Sequence, residues 1–300
     1  MLSICIPVYN YDCYELISKL FILSQKVGIT VEIIVIDDGS ALPFRFKNSI
    51  NENIVSVIHL NKNIGRARVR NLFCTYARFE NMLFLDCDIQ IIDPKYLGNY
   101  VDEIDSGFEV ITGGTNYPQE NPGKKRSLHW KYCRFKEEEF REKLPKDPYQ
   151  SFMTNNFLIK KEIFEKICFD ETLNSYGHED TLFGYQLKKY HYKIRHIDNP
   201  VLHTHLDVNE IFAIKSAQAV ENLVRLTRNP QYGMDFAKNV TLSKMFFQLQ
   251  SQGLDGMLKA FAWFLLPLLR KRLCQGNANL KEFSIYKLLL FTKVYNSYKE

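Results

Sequence analysis

The chain has 300 residues, 46% of them hydrophobic and 24% charged, with 39 Lys and Arg against 34 Asp and Glu. That composition belongs to a folded globular protein of one large domain or two small ones, and it excludes collagen-like, low-complexity and disordered chains. A net charge of +5 is compatible with anionic substrates or lipids but too small to imply nucleic acid, and no RNA-binding or helix-turn-helix signature is present.

In chain order, Ser3 to Val8 reads as a first strand, followed by an amphipathic helix over Tyr14 to Lys26 with Leu16, Leu20, Phe21 and Leu23 near helical spacing. Val31 to Ile36 is a β-branched run interrupted only by Glu32, the pattern of a buried parallel strand. It ends in the turn cluster Asp37-Asp38-Gly39-Ser40. Ile54 to Leu60 predicts a third strand, Gly65 to Phe79 a basic helix and Met82 to Leu85 a fourth strand. Val110 to Thr112 fits a fifth. Tyr117 to Pro148, rich in Pro, Lys, Arg and Glu, predicts a loop and a charged helix. Phe152 to Ile159 returns to a strand pattern, then Lys161 to Ile167 to a short helix. Gly177-His178-Glu179-Asp180 opens a helix running to Tyr190. Tyr192 to Ile197 and Pro200 to His203 predict short strands, and everything from Asn209 onward is helical.

Strand–helix–strand alternation over the first 90 residues or so predicts an open α/β sheet, mostly parallel. In such sheets ligands sit at the carboxyl ends of the strands. That rule gathers Pro7-Val8-Tyr9-Asn10, Asp37-Asp38 and Asp86-Cys87-Asp88 at one edge. Asp86 and Asp88, one residue apart at a strand end, are expected to point the same way. Oxygen ligands of this type suit Mg²⁺ or Mn²⁺.

The seven cysteines (Cys5, Cys13, Cys74, Cys87, Cys133, Cys168, Cys274) are scattered and never in Cys-x-x-Cys spacing. They argue against a zinc site or a disulfide framework and for reduced thiols in a cytoplasmic setting. The N-terminus lacks a basic n-region and a cleavage site, so no signal peptide is expected. No run of about 20 apolar residues predicts a transmembrane helix.

With these residues placed, the chain resembles the family 2 glycosyltransferases with the GT-A fold, among them those of bacterial polysaccharide biosynthesis. The matching segments are Ser3-Ile4-Cys5-Ile6-Pro7-Val8-Tyr9-Asn10, Val35-Ile36-Asp37-Asp38-Gly39-Ser40, Asn61 to Asn71 and Phe84-Leu85-Asp86-Cys87-Asp88. The resemblance implies a GT-A (Rossmann-like), mostly parallel central sheet with helices on both faces. It covers residues 1–205, with a nucleotide-binding half at 1–112 and an acceptor half at 113–205. A helical C-terminal region at 206–300 lies beyond it.

By resemblance, Pro7, Val8 and Tyr9 lie along the base and ribose of a nucleotide, and Asp37 and Asp38 supply the carboxylate that meets the base. Arg70 lies in a segment that matches the family imperfectly, because Val69 stands where a small alanine is usual. Asp88 ligates a divalent cation, Mn²⁺ or Mg²⁺, and Asp86 contacts the ribose or the metal. His203 is a further metal ligand, with His205 two residues on as its alternative. Asp180 is the catalytic base and Glu179 hydrogen-bonds the acceptor. Asn155 and Asn156 line the acceptor side of the sugar pocket. Each acidic cluster also has a plain structural reading, as turn chemistry for Asp37-Asp38 or as a helix-dipole complement for Glu179-Asp180.

The implied function is metal-dependent, inverting transfer of a hexosyl group from a nucleoside-diphosphate donor, UDP being favoured, to a glycan or polyprenyl-linked acceptor. The alternatives are a non-catalytic nucleotide-sugar or glycan-binding protein of the same fold and, less well supported, a sugar nucleotidyltransferase. The latter needs a Gly-rich phosphate loop after the first strand, which Pro7-Val8-Tyr9-Asn10 does not supply.

In the tail, Gly256 to Arg272 sets Trp263 and Phe264 beside Arg270-Lys271-Arg272, and from Gly256 onward eight Lys or Arg face two acids. The segment suits either an interfacial helix on an anionic membrane surface or an ordinary helix packed on the protein. The first reading would make the protein peripheral at the inner face of the membrane.

Overall fold

The computed structural model describes residues 1–45, 53–143, 147–150, 152–173 and 175–298, with side chains inside 138–143 outside that description. Residues 144–146 of the expected loop-and-helix segment and the tail charges Lys299 and Glu300 thus lie outside the described residues. The chain forms two compact units. The first comprises Met1–Pro118, Pro145–Asn174 and Phe183–His205, and the second Gln119–Leu144, Ser175–Leu182 and Leu206–Glu300.

The chain runs β1 (Leu2–Val8), α1 (Tyr14–Ser24), β2 (Val31–Asp37), β3 (Val55–His59), α2 (Arg66–Tyr76) and β4 (Asn81–Leu85), close to the predicted spans. Next come β5 (Ile89–Ile91), α3 (Tyr96–Val101), β6 (Val110–Thr112) and β7 (Thr115–Asn116). After a 3-10 turn at Lys124–Arg126 come α4 (Ser127–Lys143), β8 (Asn156–Lys160), α5 (Lys161–Ile167), α6 (Glu179–Lys189), β9 (Ile194–His196) and β10 (Val201–His203). The rest is helical: α7 (Asn209–Thr227), α8 (Gly233–Asn239), α9 (Thr241–Ser251), α10 (Asp255–Cys274) and α11 (Leu280–Ser297).

The first unit is built on a seven-stranded sheet of order β3-β2-β1-β4-β8-β6-β9. β3, β2, β1 and β4 are parallel neighbours, β8 runs antiparallel to both β4 and β6, and β9 is parallel to β6. Alternation along β2 explains why Ile33 to Ile36 had to be apolar without a break. Ile33 and Val35 pack into a core with Leu16, Leu20 and Leu23 of α1 and Tyr96 and Tyr100 of α3. Ile34 and Ile36 pack into another with Phe73 of α2, Phe164 of α5 and Phe183 of α6. With side chains alternating to opposite faces, a sheet covered by helices on both sides leaves no solvent face. Phe84 anchors the second core, stacked on Phe157 with centroids 4.9 Å apart and on Phe164 at 4.7 Å. Truncating such a residue costs about 3–5 kcal/mol.

A three-stranded sheet of order β5-β10-β7 completes this unit. β10 pairs antiparallel with β5 so that His203 lies opposite Ile89. Neither β5 nor β7 was evident from the sequence, because two or three residues carry no periodicity.

The second unit contains α4, α7 to α11 and the first turn of α6. α11 opens with a capping box in which Asn279 accepts from the Glu282 N–H and Glu282 accepts from the Asn279 N–H, each at 2.9 Å. α10 buries Leu258, Ala262, Leu266, Leu269 and Leu273, a helical stripe packed on α11 and α7. Among the described residues no helix is long and apolar enough to cross a membrane.

Candidate active site

The loops after β1 and β2 are tied together. The Asn10 N–H donates to Ser40 Oγ at 2.7 Å and the Ala41 N–H to Asn10 Oδ1 at 3.0 Å. Tyr9 is left half-exposed while Val8 is buried. Asp37 and Asp38 are both buried, with oxygens that accept backbone N–H groups. Asp37 takes those of Ser40 (3.0 Å) and Phe44 (2.9 Å), and His59 Nδ1 lies 3.3 Å away. Burial pushes its carboxyl up, but the hydrogen bonds from Ser40, Phe44 and His59 outweigh that and hold it below the usual range. Asp38 takes the N–H groups of Ile64 (2.7 Å) and Gly65 (3.1 Å), at the entrance to α2. There burial wins, and the carboxyl is raised. Gly39 is required at this turn: its φ is +72°, and a Cβ would lie 2.4 Å from the Lys62 carbonyl carbon.

β4 ends at Leu85, and the Asp86 N–H extends its ladder only to Asn155 O, at 3.2 Å. Cys87 and Asp88 form a turn. The expectation that Asp86 and Asp88 share a direction by strand alternation is therefore corrected, because the strand stops before the motif and the two carboxylates take different partners. Asp86 Oδ1 accepts from Arg70 Nη2 at 2.5 Å. Arg70 is buried, donates also to Arg66 O at 3.1 Å, and keeps a buried Nε with no hydrogen-bond partner. Asp88 Oδ2 lies 3.2 Å from His203 Nε2. Burial raises the Asp88 carboxyl, but the His203 hydrogen bond and charge outweigh it and the net shift is downward. Burial likewise disfavours a charged His203, yet Asp88 and Asp86 outweigh that and raise it.

Asp88 and His203 suit a divalent cation. Adjacent ligands of an octahedral shell with bonds of about 2.1 Å lie about 3 Å apart, which matches their spacing. His203 Nδ1 is buried without a hydrogen-bond partner, so Nε2 is the nitrogen this imidazole presents. Among the described residues no group of three or more His, Cys, Asp and Glu could hold a metal. A cation held by Asp88 and His203 would need its remaining ligands from a bound molecule or water.

In the second unit, α6 begins with Glu179 and Asp180 in its first turn, where the helix dipole favours negative charge. Buried Glu179 accepts the Gly177 N–H at 2.9 Å. The preceding loop is bent into unusual backbone: Gly177 has φ +103° and His178 φ +69°. A Cβ on Gly177 would lie 2.4 Å from Ala219 Cβ of α7. One turn along α7, fully buried Asn222 donates to the carbonyls of Ser175 (3.0 Å) and Gly177 (3.0 Å) and accepts from Ser175 Oγ at 2.7 Å. Sequence reasoning missed Asn222. The only signal was a polar residue inside the apolar face of α7.

Asn156 is a hub of the first unit. Its Oδ1 accepts from Tyr96 and Tyr100 hydroxyls and its Nδ2 donates to Gly114 O and Asn199 O. Its amide is fully occupied there. Asn155 is bonded to Thr115.

A mostly parallel sheet with helices on both faces, with acidic turns after β2 and β4, is the GT-A arrangement. The family model for glycosyl transferase family 2 matches residues 3–168, and the chain belongs to that family. Among its relatives is the chondroitin synthase of Pasteurella multocida (strain Pm70), 28% identical over a 222-residue alignment that covers 62% of this chain and 23% of that one. Another is the undecaprenyl-phosphate 4-deoxy-4-formamido-L-arabinose transferase of Salmonella paratyphi B (strain ATCC BAA-1250 / SPB7), 29% identical over a 116-residue alignment that covers 36% of this chain and 35% of that one. The chain thus spans under a quarter of the first and about a third of the second. In fold it resembles the mannosyltransferase PcManGT of Pyrobaculum calidifontis, solved with GDP-Man and Mn2+, with a TM-score of 0.57 at 13% identity, over 100% of this chain and 87% of that one.

Proposed function

We propose that this chain is a metal-dependent inverting glycosyltransferase that moves a sugar from a nucleoside-diphosphate donor, UDP-linked, to a glycan or polyprenyl-linked acceptor. The observation that carries the reading is the Asp88–His203 pair at the end of β4. It is supported by family membership and by relatives named for a polysaccharide and for a polyprenyl phosphate. The scattered free cysteines suit work in the cytoplasm.

In this reading Asp88 and His203 would hold Mn²⁺ or Mg²⁺, the imidazole favouring Mn²⁺. Such a cation would neutralise charge on the departing diphosphate. Tyr9 offers its exposed ring to the nucleotide beside Pro7 and Val8. Asp37 and Asp38 shape the turn that meets the base, and Arg70 orients Asp86 toward the ribose. Asp180 accepts the proton of the acceptor hydroxyl. The hydroxyl oxygen bonds to the anomeric carbon as the bond from that carbon to the diphosphate oxygen breaks, and the nucleoside diphosphate leaves with the electron pair. No covalent enzyme intermediate is required. Glu179 holds the loop before α6.

The test is a screen of nucleotide sugars for slow hydrolysis with Mn²⁺, with and without EDTA. Release of one nucleoside diphosphate that EDTA abolishes is expected. Hydrolysis indifferent to EDTA removes the metal, and none with any donor removes the donor class.

A further inference from the structure

The chain's net charge is not spread along it. Of its 39 basic and 34 acidic residues, the last 46 residues hold eight and three. The 254 residues before them carry 31 of each and are neutral. The segment with the surplus contains α10, a helix with two apolar faces. One is the buried stripe of Leu258, Ala262, Leu266, Leu269 and Leu273. The other points away from the packing: Met257, Phe261, Phe264 and Leu268 recur at helical spacing, and all are exposed. Beside them Trp263 is 84% exposed and Phe264 itself 66%. A helix apolar all round is ordinarily buried on all sides, and a contiguous exposed patch of large apolar residues marks an interaction surface.

The residues around the patch identify its partner. Arg270 and Lys271 are exposed at its C-terminal end. Lys259, near the other end, is paired with Asp255 at 2.6 Å, and Arg272 with Glu282 at 2.6 Å. An indole and phenyl rings next to unshared basic charge, on a helix too polar to span a bilayer, fit the boundary between headgroups and acyl chains of an anionic membrane. A second copy of this chain would bring the same basic residues against one another, which disfavours it.

We propose that the outward face of α10 docks the protein on an anionic lipid surface, with Phe261, Trp263, Phe264 and Leu268 entering the interface and Arg270 and Lys271 meeting headgroup phosphates. The docking stands independently of the metal and base assignments and would bring a polyprenyl-linked acceptor to the enzyme.

The experiment is flotation of the full chain with phosphatidylcholine vesicles and with vesicles that also carry phosphatidylglycerol, at low and high salt. Binding is expected to the anionic vesicles only and to weaken with salt. Trp263→Ser with Phe264→Ser, and separately Arg270→Gln with Lys271→Gln, should each lower partitioning at least tenfold. These side chains are exposed, so both variants should unfold at the wild-type temperature. Trp263 is one of two tryptophans, and in a Trp130→Phe background its fluorescence should shift blue on anionic vesicles. Equal binding to both vesicles, or no effect of the Trp263 and Phe264 substitutions, overturns the proposal. So does a wild-type dimer on size exclusion that these substitutions dissolve without any lipid binding, since the face then serves self-association.

Discussion

His203 Nε2 reaches to 3.2 Å from Asp88 Oδ2 because β10 pairs antiparallel with β5 in a register that sets His203 opposite Ile89, the residue after Asp88. A slip of one residue would turn the imidazole to the other face of this small sheet. The pair is therefore a direct readout of strand register, and it makes the metal assignment testable at two residues distant in sequence.

Asp88→Ala and His203→Ala should each weaken Mn²⁺-dependent UDP binding at least tenfold by calorimetry. Binding measured with EDTA should be weak in the wild type and unchanged by either substitution. Equal UDP affinity in wild type and variants with Mn²⁺ present would remove both as ligands.

Asp180→Asn keeps the shape at the start of α6 and removes the carboxylate proposed as the base. Transfer is expected to fall on the order of 10²–10⁴-fold, with UDP affinity within a few-fold of wild type. Glu179→Gln should cost less, because an amide oxygen can still accept the Gly177 N–H. A transfer rate untouched by Asp180→Asn would reassign the base.

Asn222→Ala leaves the carbonyls of Ser175 and Gly177 without their donor. A loss of about 1–3 kcal/mol in unfolding free energy is expected. Because the loop leads directly into Glu179-Asp180, kcat should fall while the KM for donor holds. Asn222→Asp retains the acceptor for Ser175 Oγ but not the donors, and should fail to rescue. Gly177→Ala should be worse, since it adds the Ala219 contact to the cost of φ +103°. Ala219→Gly in the same chain should relieve the contact but not the backbone strain. Full additivity of the two substitutions would show that the contact does not matter.

His178 gives the second unit a pH dependence. Burial lowers its imidazole to about 4 from 6.5, with Glu179 opposing and Lys287 reinforcing the shift. Lys287 is itself lowered to about 8 by burial and by Lys136. Between pH 4 and 6.5 the unfolded chain binds the proton that folded His178 refuses. Stability is therefore full above pH 6.5 and declines as pH falls toward 4, by about 3 kcal/mol over the window. His178→Asn, which tolerates φ +69°, should flatten thermal unfolding against pH in that range. An unaltered acid slope would assign the loss to other groups.

Much of the fold was legible in local pattern. The apolar run Ile33 to Ile36 of β2 announced a sheet covered on both faces, and the β-α alternation announced parallel neighbours. The boundaries of α5 could be read to the residue. The grouping of 119–144 and 175–182 with the C-terminal helices was not legible, because nothing local distinguishes a helix that packs on one unit from one that packs on another. Nor was the separation of Asp86 from Asp88. The period-two argument holds only while the strand lasts, and β4 ends at Leu85.

The sequence by itself determined the kinds of groups at the strand ends, the family they belong to and the surplus of positive charge in the last 46 residues. These rest on residue identity and short-range periodicity, which survive without a structure. Only the tertiary structure decided which carboxylate meets His203, that Arg70 takes Asp86, that Asn222 holds the loop before Asp180, and that one apolar face of α10 is covered while the other is not. Those outcomes depend on register and packing between segments far apart in the chain, and no local pattern encodes them.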